Sequence, residues 1–164
     1  MKGQTMQKLE VTTPSDREIV MTRILNAPRN LVFDAFTKPE LIRRWLLGPD
    51  GWSMPTCEVD FREGGSFRYV WRNDDDGQQF GLHGVFREIR PVQRIVHAEN
   101  FDEPWYPGDA IVTTDFTEND GATTVTMTIL YETRDVRDMA IQSGMEKGVA
   151  RSYERLADLL ASGS

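Results

Sequence analysis

From Pro55 to Glu132 the chain runs in short apolar–polar alternations broken by tight turns, and this pattern constrains the fold more than any other feature. Successive side chains of a strand point to opposite faces, so a period of two reads as a strand with one buried face. "PTCEVDF" is a short strand, and "REGG" turns the chain. "SFRYVWR" puts Phe67, Tyr69 and Trp71 on one face and Arg68 and Arg72 on the other. "NDDDGQ" is a hairpin loop, its Asp-Gly supplying a residue with positive φ. "FGLHGVFREI" and "RIVHAENF" then pair across "RPVQ". After the loop "DEPWYPGD", the runs "AIVTTDFTE" and "ATTVTMTILYE" pair across Asn119-Asp120-Gly121. In the last of these strands Val125, Met127 and Ile129 share one face, and Thr124, Thr126 and Thr128 the other.

Helical patterning brackets these strands. A first strand over about Arg17 to Asn26 leads into "APRNLVFDAF", where Pro28 suits a first helical turn and Leu31, Val32, Ala35 and Phe36 form an apolar face. Pro39 ends that helix and opens another, capped by Thr37 or Lys38 and running to about Leu46, where Gly48-Pro49 stops it. From Arg134 to about Ala161 the apolar positions, among them Val136, Met139, Ala140, Met145, Val149, Tyr153 and Leu156, fall mostly at spacings of three, four or seven. That is one helical stripe. Gly144 and Gly148 interrupt it, so they mark either a kink or a close approach to a neighbour. The fold class is therefore α+β. Seven strands form a curved antiparallel sheet wrapped around a long C-terminal helix, with two short helices between the first two strands.

At 164 residues the chain suits one domain, read as 17–161 behind a loose, flexible N-terminal tail over 1–16. The first sixteen residues have no apolar core of a secretory signal, and no run approaches the roughly 20 apolar residues of a membrane span. These features give a cytoplasmic expectation. A net charge of -7 argues against nucleic acid as a partner. The single cysteine, Cys57, excludes an internal disulfide and any multi-cysteine metal site, and reads as a small apolar residue.

The element order resembles the helix-grip fold of the SRPBCC, or START-related, superfamily, which includes the birch-pollen allergen and polyketide cyclases. The segments "NAPRNLVFDAFTKPELIRRWLLGP", "CEVDFREGGSFRY", "GVFREIRPVQRIV" and "GMEKGVARSYERLADLL", in that order, resemble the branch named for the activator of heat-shock protein 90 ATPase. Two departures stand out: Trp45-Leu46 where many relatives carry Trp-Trp, and Lys38 where they carry Asp. The resemblance implies a deep, largely apolar cavity between sheet and helix. It implies little about activity, because one fold hosts many functions.

In an up-and-down sheet the connections alternate between two ends. Counting them sends all four Trp to one end: Trp45 on the second short helix, Trp52 just after it, Trp71 at a strand end, and Trp105 beside Tyr106 in a long loop. These residues either plug a gap in the core or rim a pocket. The cavity wall implied by the resemblance is Phe67, Tyr69 and Trp71, then Phe86, then Val125, Met127 and Ile129, with Met139, Ser143 and Met145 from the last helix.

Candidate chemistry is sparse. No nucleophile motif is present, and "REGGSF" joins two strands, which makes it a turn rather than a phosphate loop. His83 and His97 fall on neighbouring strands, His97 opposite about Phe86 or Arg87 and His83 near Asn100 or Phe101, so they are not paired. Two histidines without a third ligand make a poor metal site, and no metal or cofactor is expected. Glu88 and Glu99 are strand carboxylates. Either one, turned into an apolar cavity, would hold a proton or a ligand's polar end. Sharing parity with Leu82, Gly84 and Phe86 favours Glu88, and Gly84 leaves room for a ligand or for close packing.

Three functions remain open. The first is binding of a small hydrophobic or aromatic molecule without chemistry. The second is a cyclase- or hydrolase-like enzyme using Glu88, His83 or His97 as acid or base. The third is a protein-interaction role that stimulates a chaperone ATPase, although the additional N-terminal domain of the full activator is missing from the sequence. A homodimer or a chaperone is the protein partner these readings allow.

Overall fold

The computed structural model describes residues 8–162. The chain runs β1 (Glu10–Thr12), β2 (Glu18–Leu25), α1 (Arg29–Thr37), α2 (Pro39–Trp45), β3 (Trp52–Val59), β4 (Ser66–Asn73), β5 (Gln79–Arg90) and β6 (Arg94–Phe101). It continues through β7 (Ala110–Asn119), β8 (Ala122–Leu130), α3 (Arg134–Gln142) and α4 (Met145–Ala161). A single antiparallel sheet takes the order β1-β2-β8-β7-β6-β5-β4-β3. It has eight strands rather than the expected seven. The extra one is β1, which pairs Val11 with Met21 on the outer edge of β2 and lies within the stretch read as a tail. The first seven residues of that stretch lie outside the described residues.

Local chemistry explains the turns. Asp120 and Gly121 both have positive φ, at 54° and 79°, between the paired Asn119 and Ala122. That is the backbone of a two-residue turn whose twist matches its strands. Lys38 is extended, at φ -93° and ψ 120°, because a residue before proline is pushed out of the helical region. So α1 stops and α2 starts at Pro39.

The C-terminal stripe is two helices, not one. Thr133 caps α3, its side chain accepting from the Val136 amide at 3.2 Å. Gly144, at φ 80° and ψ 17°, then breaks the rod. The other glycine stays helical inside α4. A Cβ on Gly148 would sit 3.3 Å from Pro49 Cδ, so its role is close approach. Each of the two roles expected for these glycines is filled, by a different residue.

The break divides the core. Beneath α4, Leu25, Ile42, Trp45, Tyr153 and Leu156 form one buried cluster. Beneath α3, Ile19, Met21, Val112, Ile129 and Val136 form another. Val125, expected in a cavity wall, is fully buried in the first cluster with Phe116 and Phe33. Met139 was expected in the same wall but is 44% exposed, because α3 turns its Val136–Ala140 side inward.

Candidate ligand cavity

Between the concave face of the sheet and α4 lies a cavity of about 430 Å³. Its floor comes from alternate residues of three neighbouring strands: Phe67, Tyr69 and Trp71 of β4, Leu82 and Phe86 of β5, and Ile95, His97, Glu99 and Phe101 of β6. Met127 and Ile129 of β8 continue it, and Trp45, Leu46, Val149 and Tyr153 close it from the helical side. The space at Gly84 is not part of the void, because a Cβ there would overlap the Phe67 ring.

A second cavity, of about 620 Å³, adjoins the first; Phe80, Glu99, Phe101, Ile129 and Met145 line both. Trp105, Tyr106 and Ser143 belong to this outer space and not to the inner one. Ser143 is exposed, and its hydroxyl donates to the Ala140 carbonyl at the end of α3.

The four tryptophans divide into two roles. Trp45 is 1% exposed, donates from Nε1 to the Ala35 carbonyl at 2.9 Å, and packs edge-on against Tyr153 at 5.7 Å. It plugs the core and forms the back of the cavity. Trp71 is anchored by an Nε1 bond to the Leu46 carbonyl and stacks on Phe80 at 5.0 Å. Trp52 meets Phe80 at 5.2 Å, Phe80 meets Phe101 at 6.1 Å, and Phe101 meets Trp105 at 6.2 Å. This chain of rings crosses from the inner cavity to the outer one. Phe80 and Trp105, on either side of Phe101, are over two-fifths exposed, which is unusual for large apolar side chains so near each other. Sequence reasoning missed Phe80 and Phe101, although Phe80 shares the parity of Leu82 and Phe86.

Polar groups collect at one place on this floor. His97 Nε2 lies 2.8 Å from Glu99 Oε1. A carboxylate only accepts, so Nε2 carries the proton and Nδ1 is left with a lone pair when the ring is neutral. Phe67 supports the imidazole edge-on at 4.9 Å. Three phenols share the cavity walls with Glu99, Tyr69 in the inner space and Tyr106 and Tyr131 in the outer one. Burial, with Cys57 and Glu99 nearby, drives the ionisation of Tyr69 far up. Burial, Glu99 and Asp109 push Tyr106 up to about 12. Burial, then Glu99 and Tyr106, raise Tyr131. All three stay neutral donors at physiological pH.

The other candidates lie elsewhere. The register places His97 opposite Phe86 and His83 opposite Asn100, as the turn position predicts. His83 is exposed and meets Asp102 at 2.8 Å, in a surface cluster that Arg68 joins at 2.6 Å. Glu88 does not face the cavity. A bulge between Phe86 and Glu88 shifts the alternation, so Ile89 packs on the core and Glu88 pairs with Arg90. The inward carboxylate is Glu99. Cys57 is buried, and burial pushes its thiol up, as for an inert residue. No cluster of three or more metal-ligating side chains occurs among the described residues.

The helical wall is held by a clasp. Asp50 accepts from Arg151 at 2.8 Å and Arg155 at 2.9 Å, Arg155 also donates to the Gly48 carbonyl, and the Gly48 amide donates to Ser152. Arg151 and then Arg155 hold the Asp50 carboxyl below its usual range. The loop after α2 is thereby tied to α4. Ile42 and Trp45 face inward, and Arg43 and Arg44 face water.

The family profile described as Activator of Hsp90 ATPase homolog 1-like protein matches residues 26–161. No curated protein matches the chain. Among solved structures, a Rhodobacter sphaeroides protein superposes with a TM-score of 0.88 at 28% identity, covering 94% of this chain and 99% of that one. A Nitrosomonas europaea protein gives 0.80 at 26% identity, over 92% and 98%. An AHSA1-like protein from Aeromonas hydrophila gives 0.62 at 22% identity, over 82% and 92%, a likeness of fold. No helix among the described residues is long and apolar enough to cross a membrane.

Proposed function

Because the chain belongs to the Activator of Hsp90 ATPase homolog 1-like family, with the SRPBCC-type fold, we propose that it binds a small hydrophobic or aromatic molecule in the inner cavity. The observation that carries this reading is a void of about 430 Å³ walled by aromatic and aliphatic side chains, a size and lining suited to a small organic ligand. The ring chain from Trp52 to Trp105 supports it by offering an apolar path to the surface. A thermal-shift screen of aromatic and alicyclic compounds, followed by native mass spectrometry of the hits, tests it. A bound ligand at a hundred times its Kd stabilises by about 2.7 kcal/mol, which moves the melting point by several degrees. A protein that melts unchanged with every compound, and carries no ligand mass, contradicts it.

One observation favours a second reading, acid–base chemistry on the bound molecule. The His97–Glu99 pair is a carboxylate-oriented imidazole set in an apolar cavity, the arrangement a general base needs. Turnover of a bound compound that disappears in His97→Gln, with binding retained, would establish it.

A further inference from the structure

The polar end of the inner cavity carries a carboxylate and no lysine or arginine. We propose, on the basis of the binding reading above, that the molecule taken up is an apolar amine, an aromatic or alicyclic body with one protonated nitrogen seated on Glu99. Among the described residues Glu99 makes a single hydrogen bond, from His97 to Oε1, which leaves Oε2 for the N–H of a ligand. The bond from His97 also fixes the carboxylate's direction before a ligand arrives. Phe101, two residues along the same inward row, and Tyr69 line the same cavity, which puts aromatic rings on the wall that receives the cation. A ligand carboxylate at the same place would lie beside Glu99 with no Lys or Arg on the cavity wall to offset it, in surroundings that screen charge poorly.

The outer cavity points to the same sign of charge. Its charged lining is Glu99, Asp102 and Glu103 against Arg68 alone, and Arg68 already bonds Asp102 at 2.6 Å. The chain as a whole carries -7. A cation is therefore drawn toward this mouth and an anion repelled.

Three ligands of nearly equal shape separate the possibilities: naphthylethylamine, naphthylethanol and naphthylacetate, titrated calorimetrically at neutral pH into the intact wild-type chain and into Glu99→Gln. The wild type binds the amine about ten-fold or more tightly than the alcohol, as a charge-assisted hydrogen bond requires, and the acetate most weakly. In Glu99→Gln the amine falls to the level of the alcohol, and the alcohol changes little. If the alcohol binds and the amine gains nothing over it, or the acetate matches the amine, the amine proposal is overturned while cavity binding stands. If none of the three binds, the amine proposal is overturned, and cavity binding is decided by the compound screen above. The order of the three ligands on the wild type does not depend on how the variant folds.

Discussion

The two halves of the concave face use the same residue types to opposite ends. Beneath α4, near α2, Trp45, Phe36, Phe116 and Tyr153 pack ring on ring, with centroids 4.8 to 6.2 Å apart, and leave no exposed large side chain. Beneath the start of α4 and the Trp105 loop, Trp71, Phe80, Phe101 and Trp105 are just as closely spaced, but they border the two cavities with Phe80 and Trp105 exposed, whereas the packed set meets the inner cavity only as its back wall. The difference lies in what stands opposite. In the packed half α1 and α2 supply Phe36 and Trp45, which close over Phe116 of β7. The hollow half faces the first turns of α4, where Met145, Gly148 and Val149 line the void without filling it. Aromatic content alone thus does not distinguish a core from a binding site.

The largest expected contrast comes from cutting one tryptophan in each half. Trp45→Ala empties a well-packed site and strands the Ala35 carbonyl, and should cost about 3–5 kcal/mol by chemical denaturation. Trp52→Ala removes a ring that is only partly buried, and should cost about 1 kcal/mol or less while weakening ligand affinity. Equal losses of stability would erase the distinction between the halves.

A smaller contrast sits at the helix break. Gly144→Ala forces a left-handed backbone on alanine and should cost about 1–2 kcal/mol. It should leave affinity within about two-fold, because Gly144 does not line either cavity.

Smaller again is a pair of hydroxyls. The Tyr153 hydroxyl is buried with no hydrogen-bond partner among the described residues, and burial raises its ionisation. Tyr153→Phe should therefore be neutral or stabilising by up to about 1 kcal/mol, since it removes a desolvated group that gains nothing. Tyr69→Phe should leave stability unchanged and lower affinity for ligands with a polar group.

The smallest effect is at the clasp. Asp50 has a depressed folded-state pKa, so its contribution is present above the unfolded value of 3.8 and is lost as pH falls through the lower folded value. Asp50→Asn should flatten the acid limb of a stability–pH curve slightly and change nothing at neutral pH beyond the loss of the Arg151 and Arg155 bonds.

Much of this architecture was legible in the sequence, because periodicity and turn residues are local signals. The strand register followed from counting between turns, which is why His83 and His97 fell where expected. Three features escaped for physical reasons. Parity favours Glu88 over Glu99 as the carboxylate to turn inward, and one extra residue in a bulge reverses that parity. Met139 was placed on the stripe of one continuous helix, and the break at Gly144 gave α3 its own orientation. Val125 was on the right face, but whether that face meets a void or a neighbour depends on side chains distant in sequence. Even the tryptophans of "LIRRWLLGPDGW", alike in sequence, ended on opposite sides of that line: Trp45 in the core and Trp52 at the rim.

The most direct test of a hollow, ligand-accepting half is to fill it. Met127 faces the inner cavity from β8 and is only partly buried. Met127→Trp should fold with its melting point nearly kept and lose the ligand-induced shift that wild type shows with naphthylethylamine. A variant that still shows the full shift would place the ligand outside this cavity and contradict the account.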